Sequence, residues 1–280
     1  MHRIGVCSWS LRPRNAADLA ARLGACSVDA VQLALDPIRD GRWGERETIT
    51  ALRDAGVTVV SGMMGTMGED YSTLESIKRT GGVRPDGTWK QNLEAAKANA
   101  GIAARLGLKL VTLHAGFLPH DPADTERARM IERLQQVAGV FSAAGVGVAL
   151  ETGQESAETL VGVIHDLDRA SIGVNFDPAN MILYGMGEPV AALEQLAPWV
   201  RQIHIKDALP TERRGEWGRE VVAGTGAVDW GRFFGVVKRA LPGVDLVIER
   251  EAGERRESDV RAARELIRRH LDGRPGGKGL

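Results

Sequence analysis

The sequence predicts an α/β protein of the (β/α)₈ barrel class, on three observations. Eight short apolar runs rich in β-branched residues alternate with eight longer amphipathic segments. The chain has 280 residues, close to the length such a barrel needs. Its first strand-to-helix turn reads Ser8-Trp9-Ser10-Leu11 and lacks the glycine fingerprint of a doubly wound nucleotide-binding sheet.

The predicted strands are residues 3–10, 30–35, 58–64, 109–115, 147–152, 172–177, 201–206 and 245–250. Helical patterns lie near 15–26, 45–55, 89–107, 124–145, 156–166, 189–199, 229–241 and 256–271. The clearest runs over 124–145, where Ala128, Ile131, Leu134, Val137, Ala138 and Phe141 share one face. Gly24, Gly56 and Gly145 follow helical segments and suit left-handed caps. Two connections exceed what a barrel needs, 65–88 after the third strand and 208–228 after the seventh. Both fall on the face where barrels place active sites, so both read as lids or binding loops. No Pro-, Gly- or Ser-rich linker divides the chain. Residues 1–272 read as one barrel domain, and 273–280 as a disordered tail.

Composition narrows the function. With 36 basic and 37 acidic residues the formal charge is −1, which disfavours a chain built to grip nucleic acid or an anionic membrane. No run of 18 apolar residues and no signal-peptide pattern is present, and Cys7 and Cys26 alone do not suggest disulfides. These features give the expectation of a soluble cytoplasmic protein.

Four potential ligands each end an apolar run: Glu151, Asp177, His204 and Glu249, with spacings of 26, 27 and 45 residues. A strand-plus-helix unit takes about 30 residues, so the spacing puts one ligand on each of four successive strands. Taken singly, Glu151 also suits a solvated strand end, Asp177 before Pro178 a turn or helix cap, and His204 a core histidine. Jointly they lie at the C-terminal ends of barrel strands, where a charge after an apolar run is costly unless paired or metal-bound. Three carboxylates and an imidazole favour one hard divalent ion: Mn²⁺ first, then Mg²⁺ or Co²⁺, with Zn²⁺ as a further option. Such an ion acidifies the C–H between adjacent hydroxyl and carbonyl oxygens. Glu151 and Glu249 could then act as base and acid on either face of the substrate, through an enediolate.

The ligand set and the phrases Leu113-His-Ala-Gly116, His204-Ile-Lys-Asp207 and Gly224-Thr-Gly-Ala-Val-Asp-Trp230 resemble the xylose-isomerase-like sugar phosphate isomerase/epimerase superfamily. The resemblance covers nearly the whole chain, from Gly5 to Gly253. It implies metal ligation by Glu151, Asp177, His204 and Glu249, acid–base roles for Glu151 and Glu249, and substrate contact by His114. The implied activity is proton transfer on a ketose or keto-sugar, with a lyase or dehydratase on a keto-sugar or keto-glycoside as the alternative. An apurinic-endonuclease-like nuclease and a non-catalytic sugar-binding barrel are more distant readings. By analogy such barrels pair as homo-oligomers. One departure stands out: ketose epimerases and the endonucleases typically carry histidine three residues after the strand 6 aspartate, where this chain has Asn180. An amide cannot titrate near neutral pH, although it still donates and accepts hydrogen bonds. The endonucleases also use a strand 3 histidine, where this chain offers Met63 and Met64.

Further residues carry two readings each. Lys206 shares a strand face with His204 and either holds a substrate oxygen or orients a ligand carboxylate. Trp9 and Trp89 wall a sugar ring or pack. Arg219 and Glu220 reach the substrate or lie solvated on the surface. Gly224 and Gly226 suit a turn better than a phosphate cradle, and no compact basic cluster demands a phosphate. The expected substrate is an unphosphorylated sugar.

Overall fold

A computed structural model describes residues 2–213 and 215–272. Eight parallel strands close into a barrel. In chain order they are Ile4–Cys7 (β1), Ala30–Ala34 (β2), Thr58–Met63 (β3), Leu110–Leu113 (β4), Gly147–Glu151 (β5), Ile172–Phe176 (β6), Val200–Ile205 (β7) and, after the hairpin strands Asp207–Leu209 (β8) and Arg219–Val221 (β9), Asp245–Ile248 (β10). Around the ring the order is β1-β10-β7-β6-β5-β4-β3-β2, and the hairpin stands apart from it. The predicted fold class is the observed one. Among the described residues no helix is long and apolar enough to cross a membrane. The segment 273–280, for which disorder is expected, lies outside the described residues.

The helices are Ala16–Ala25 (α1), Asp36–Arg39 (α2), Glu45–Asp54 (α3), Leu74–Thr80 (α4), Asp86–Arg105 (α5), Thr125–Ala143 (α6), Ala157–Leu167 (α7), Pro178–Tyr184 (α8), Pro189–Leu196 (α9), Trp230–Ala240 (α10) and Arg256–Asp272 (α11). Side-chain caps start several of them: Asn15, Asp124 and Ser156 accept from the backbone at the heads of α1, α6 and α7. The strands are buried on both faces, with Val31, Val111, Val174, Ile203, Leu246 and Ile248 fully shielded, as an all-parallel sheet under helices requires.

Several local expectations differ from what forms. Helices α2, α4 and α8 lie outside the predicted helical patterns, because at most seven residues are too few to display a 3.6-residue period. The long connection after the third barrel strand therefore contains α4, opened by a Thr73–Ser76 capping box, and the one after the seventh contains the β8–β9 hairpin. Strand one stops at Cys7 rather than residue 10. Ser8 and Ser10 accept from the backbone N–H groups of Ala34 and Arg250, and the chain coils into a 3₁₀ turn at Ser8–Leu11. Gly56 and Gly145 take positive φ as caps, whereas Gly24 lies inside α1 and Ser27 takes the left-handed conformation. On α6 the buried stripe includes Arg127, Met130 and Arg133 while Ala128 is exposed. The arginines are tolerated there because Arg127 pairs with Asp166 at 2.8 Å and Arg133 donates to the carbonyl of Val83 at 2.9 Å.

Candidate metal centre

Strands β10, β7, β6 and β5 are neighbours in the ring, and each delivers one side chain to its C-terminal mouth. Glu151 ends β5, Asp177 follows β6, His204 is the penultimate residue of β7 and Glu249 follows β10. His204 Nδ1 lies 3.5 Å from Glu151 Oε1, 3.7 Å from Asp177 Oδ2 and 3.4 Å from Glu249 Oε2. All four residues are at most 5% exposed.

Each of the four side chains is held by neighbours, and Asp177 and His204 each keep one buried atom without a partner. Asp177 Oδ1 accepts from the N–H groups of Ala179 and Asn180 and caps α8, while its Oδ2 has no partner. The helix-cap and ligand readings of Asp177 are thus compatible, one oxygen for each. His204 Nε2 lies 2.7 Å from Gln32 Oε1, to which it donates, and Nδ1 faces the three carboxylates, buried and without a hydrogen-bond partner. Gln32 is itself anchored by donating to Thr112 Oγ1 at 2.8 Å. Ser61, Gln202 and Asn175 form a second chain across the barrel interior, and Asn175 Nδ2 donates to Glu151 Oε2 at 3.1 Å. Glu249 accepts from Trp9 Nε1 at 2.8 Å and from Lys206 Nζ at 2.9 Å.

Burial penalises every charge in this cage, and the neighbours decide which survive. Burial raises the Glu249 carboxyl, but Lys206 and His204 outweigh it and hold the group well below its ordinary value. Glu151 is likewise lowered, with His114 and His204 overcoming its desolvation. Asp177 goes the other way, pushed by burial to about 6 despite Lys206. Burial opposes the charge on His204, yet Cys7, Glu151 and Glu249 together hold it well above its ordinary value. Burial pushes the Cys7 thiol to about 12 and keeps it neutral, so the carboxylates carry that effect. Lys206 remains firmly charged: burial disfavours it, but Glu249, Glu251 and Asp177 outweigh that.

The other residues singled out in the sequence fall into two groups. His114 follows β4 with Nε2 3.7 Å from Glu151 Oε1 and a buried Nδ1 without a partner. Asn180, on the first turn of α8, donates to Glu151 Oε1 at 2.9 Å and accepts from Lys206 at 3.3 Å. Lys206 joins Glu249 to Glu251, whose Oε2 is 2.5 Å from Nζ. Trp9 sits over the cage, its ring centroid 6.4 Å from that of His204. Arg219 is exposed on β9, opposite Leu209, with no hydrogen bond to the cage. Glu220 clamps the chain beyond β10, accepting from Arg250 and from the N–H groups of Glu251 and Ala252. Trp89 packs on α5 beneath the Arg133 guanidinium, 5.1 Å from its ring centroid. Gly224 and Gly226 serve a turn: both N–H groups donate to Asp207 Oδ2 at 2.9 Å, so they are not available to cradle a phosphate.

Sequence reasoning missed Glu251, Asn175, Gln32 and Glu155. Glu251 lies two residues past Glu249, the spacing that identified Lys206 from His204, and the same rule finds it. Gln32 and Asn175 sit inside apolar runs, and a polar residue in a strand buried on both faces is itself a signal. Glu155, in the loop after β5, is 3% exposed, and burial pushes its carboxyl to about 8.

The donor set fits a divalent metal. Bond lengths of about 2.0–2.2 Å require ligand atoms roughly 3–3.5 Å apart, and the contacts to His204 Nδ1 approach that spacing. Two atoms of the cage, His204 Nδ1 and Asp177 Oδ2, are buried and unpartnered, an expensive state that a cation relieves. A separate cavity of about 1340 Å³ opens at the opposite, N-terminal face among His2, Arg3, Asp29 and Asp245. Barrel chemistry belongs to the C-terminal face, and the ligand cluster lies there.

A curated relative, the uncharacterised protein YihM of Escherichia coli (strain K12), is 27% identical over 134 residues, 46% of this chain. That match spans only 41% of the relative's length. A xylose isomerase domain protein from Planctomyces limnophilus has a crystal structure that superposes with a TM-score of 0.84 at 32% identity, covering 91% of this chain and 93% of its own. The 3-keto-D-glucoside 4-epimerase of E. coli shares the fold at 16% identity, with a TM-score of 0.72 over 96% of this chain and 99% of that one. The family described as xylose isomerase-like TIM barrel matches residues 17–270. On sequence and fold together, the chain belongs to the xylose isomerase-like TIM barrel family.

Proposed function

We propose that the protein is a divalent-metal-dependent sugar isomerase or epimerase that moves a proton on a keto-sugar. Glu151, Asp177, His204 and Glu249 would hold the ion, with Mn²⁺ the first choice for three carboxylates and one imidazole. A bound ion supplies Lewis-acid polarisation of a carbonyl and its neighbouring hydroxyl, which acidifies the C–H between them. The observation that carries the reading is the separate support of the two glutamates. Glu151 and Glu249 enter from β5 and β10, with β6 and β7 between them, so they flank the site. Asn175 and Asn180 hold the first, Trp9 and Lys206 the second. Two carboxylates fixed apart are what removal of a proton on one face and its return on the other require. His114 stands beside Glu151, where it can contact a substrate hydroxyl. Lys206 and Asn180 position the two glutamates. The 3-keto-D-glucoside 4-epimerase with this fold supports keto-sugars as the substrate class.

A lyase or dehydratase on a keto-sugar or keto-glycoside is the second reading, and Asn180 favours it. Its amide grips Glu151 and Lys206 and cannot exchange a proton with a substrate hydroxyl, so the proton's return has fewer routes than its removal. A screen of keto-sugars with added Mn²⁺ in D₂O separates the readings. Deuterium entering the sugar without change of formula identifies isomerisation or epimerisation, and loss of water or an aglycone identifies the lyase. The Glu249→Gln variant is expected to keep binding metal and sugar while exchange falls by about 10²–10⁴-fold. Wild-type protein that exchanges no deuterium with any keto-sugar would sink the proposal.

A further inference from the structure

An aromatic strip continues outward from the cage along loops that carry the ligands. Tyr184 lies four residues after Asn180 on α8, so it stands on the same helix face, about 6 Å farther along the axis. Its ring meets Trp217, from the β8–β9 connection, at 4.9 Å between centroids, and Phe117, from the loop after β4, at 5.5 Å. Both contacts are edge-to-face, and all three residues are half-buried. Gly218 fixes the Trp217 loop on α8: its N–H donates to Leu183 O at 3.3 Å, and a Cβ there would lie 3.1 Å from Leu183 Cα. Tyr71, the chain's other tyrosine, is 44% exposed on the loop after β3, with its hydroxyl donating to Glu69.

Polar atoms without partners lie in the same strip. Trp217 Nε1 is a buried donor without an acceptor, and Gln154 Oε1 is a buried acceptor without a donor, among the described residues. Gln154 is 3% exposed and its Nε2 donates to the Tyr184 hydroxyl at 3.4 Å, which ties it to the strip. One unused donor and one unused acceptor beside aromatic rings is the chemistry of a neutral polyol ring. Pyranose C–H faces pack on the rings, and hydroxyls satisfy both atoms. The strip itself carries no cation for a phosphate. Resting on the keto-sugar reading of the cage, we propose that Phe117, Tyr184, Trp217 and Gln154 form a second sugar subsite, so that the substrate is a keto-glycoside whose aglycone is another pyranose ring.

The test uses Mn²⁺-loaded wild type and the Trp217→Ala and Gln154→Ala variants. Calorimetric titration compares trehalose with methyl α-D-glucopyranoside, and deuterium exchange compares the 3-keto derivatives of the same two sugars. The wild type should bind the disaccharide roughly tenfold more tightly than the methyl glycoside, and each variant should lose most of that preference. Equal affinity for the two sugars, or a preference kept by both variants, overturns the subsite. Tighter binding of p-nitrophenyl glucoside than of trehalose also overturns it, in favour of an aromatic aglycone. A disaccharide preference lost in the variants, with no exchange in any keto-sugar, upholds the subsite and rejects proton transfer. Exchange without disaccharide preference does the reverse.

Discussion

Lys206 faces more negative charge than it can neutralise alone. Its ammonium lies 2.9 Å from Glu249, 2.5 Å from Glu251 and 3.9 Å from Asp177, and it is 3% exposed. Removing one partner from such a buried group leaves uncompensated charge, typically at a cost of about 3 kcal/mol. Lys206→Met should therefore lower stability to urea by about that amount after chelation, and saturating Mn²⁺ should restore most of it. An unchanged midpoint in the chelated variant would show that Glu249 does not depend on this ammonium. Glu155 makes the opposite kind of demand. Burial raises its carboxyl from 4.5 to about 8, so between those values the folded chain holds a proton that the unfolded chain has lost. That contribution to stability is fully present below pH 4.5, falls as pH rises, and is spent above about 8. The slope is at most about 1.4 kcal/mol per pH unit. Glu155→Gln should match the wild type near pH 4.5 and gain on it steadily up to pH 8, as measured by urea unfolding. A gap that shrinks with pH would contradict the assignment.

At the scale of elements, the cage depends on how closely the loop after β5 approaches α8. Gly153 has φ of +133°, and a Cβ there would fall 2.4 Å from Asn180 Cβ and 3.0 Å from Asn180 C. Only glycine tolerates both the conformation and the contact. Gly153→Ala should cost about 2 kcal/mol or more and displace α8, which carries the Asn180 amide away from Glu151. Lower thermal stability together with slower deuterium exchange would be the result. A variant that folds and exchanges like the wild type would show that α8 can shift without disturbing Glu151. Beyond β7 the organiser is Asp207. Its carboxylate accepts from the N–H groups of Ala208, Gly224, Gly226 and Val228 and from Trp230 Nε1, which fixes the hairpin that carries Trp217.

For the molecule as a whole, the barrel gathers three carboxylates and one imidazole at its mouth, and on the proposed reading a divalent ion would join them. Metal should therefore stabilise the fold, by about 2.7 kcal/mol at a hundredfold excess over Kd. Chelation should lower the melting temperature, and Mn²⁺, Mg²⁺, Co²⁺ and Zn²⁺ can be ranked by how far each restores it. Binding must also displace protons. Asp177, raised to about 6, and His204, held above its ordinary value, both have to be deprotonated to act as ligands. Metal affinity should then rise with pH, by about tenfold or more from pH 6 to pH 8. Calorimetry in two buffers of different ionisation enthalpy would count the protons released. Affinity that is flat with pH, or that falls as pH rises, would mean that these two residues are not ligands.

The order of apolar runs determined the barrel, because strand and helix periods are local properties that survive in one dimension. Ligand spacing likewise placed Glu151, Asp177, His204 and Glu249 on strands that become neighbours, since one βα unit separates each ligand of the first three from the next and the barrel adds its strands in order. Short elements were not legible: seven-residue α8 displays no period, and Asp177 and Asn180 gain their geometry from it. Nor could sequence choose between the two roles open to Lys206, because its neighbour Glu251 is 45 positions away and only closure of the barrel brings their charges together. The same holds for Gln32, whose contact with His204 spans 172 positions. The sequence by itself determined which strand each ligand ends. Tertiary structure alone decided that Asp177 Oδ2 and His204 Nδ1 stay without partners while both oxygens of each glutamate are held, because that depends on partners supplied from across the barrel.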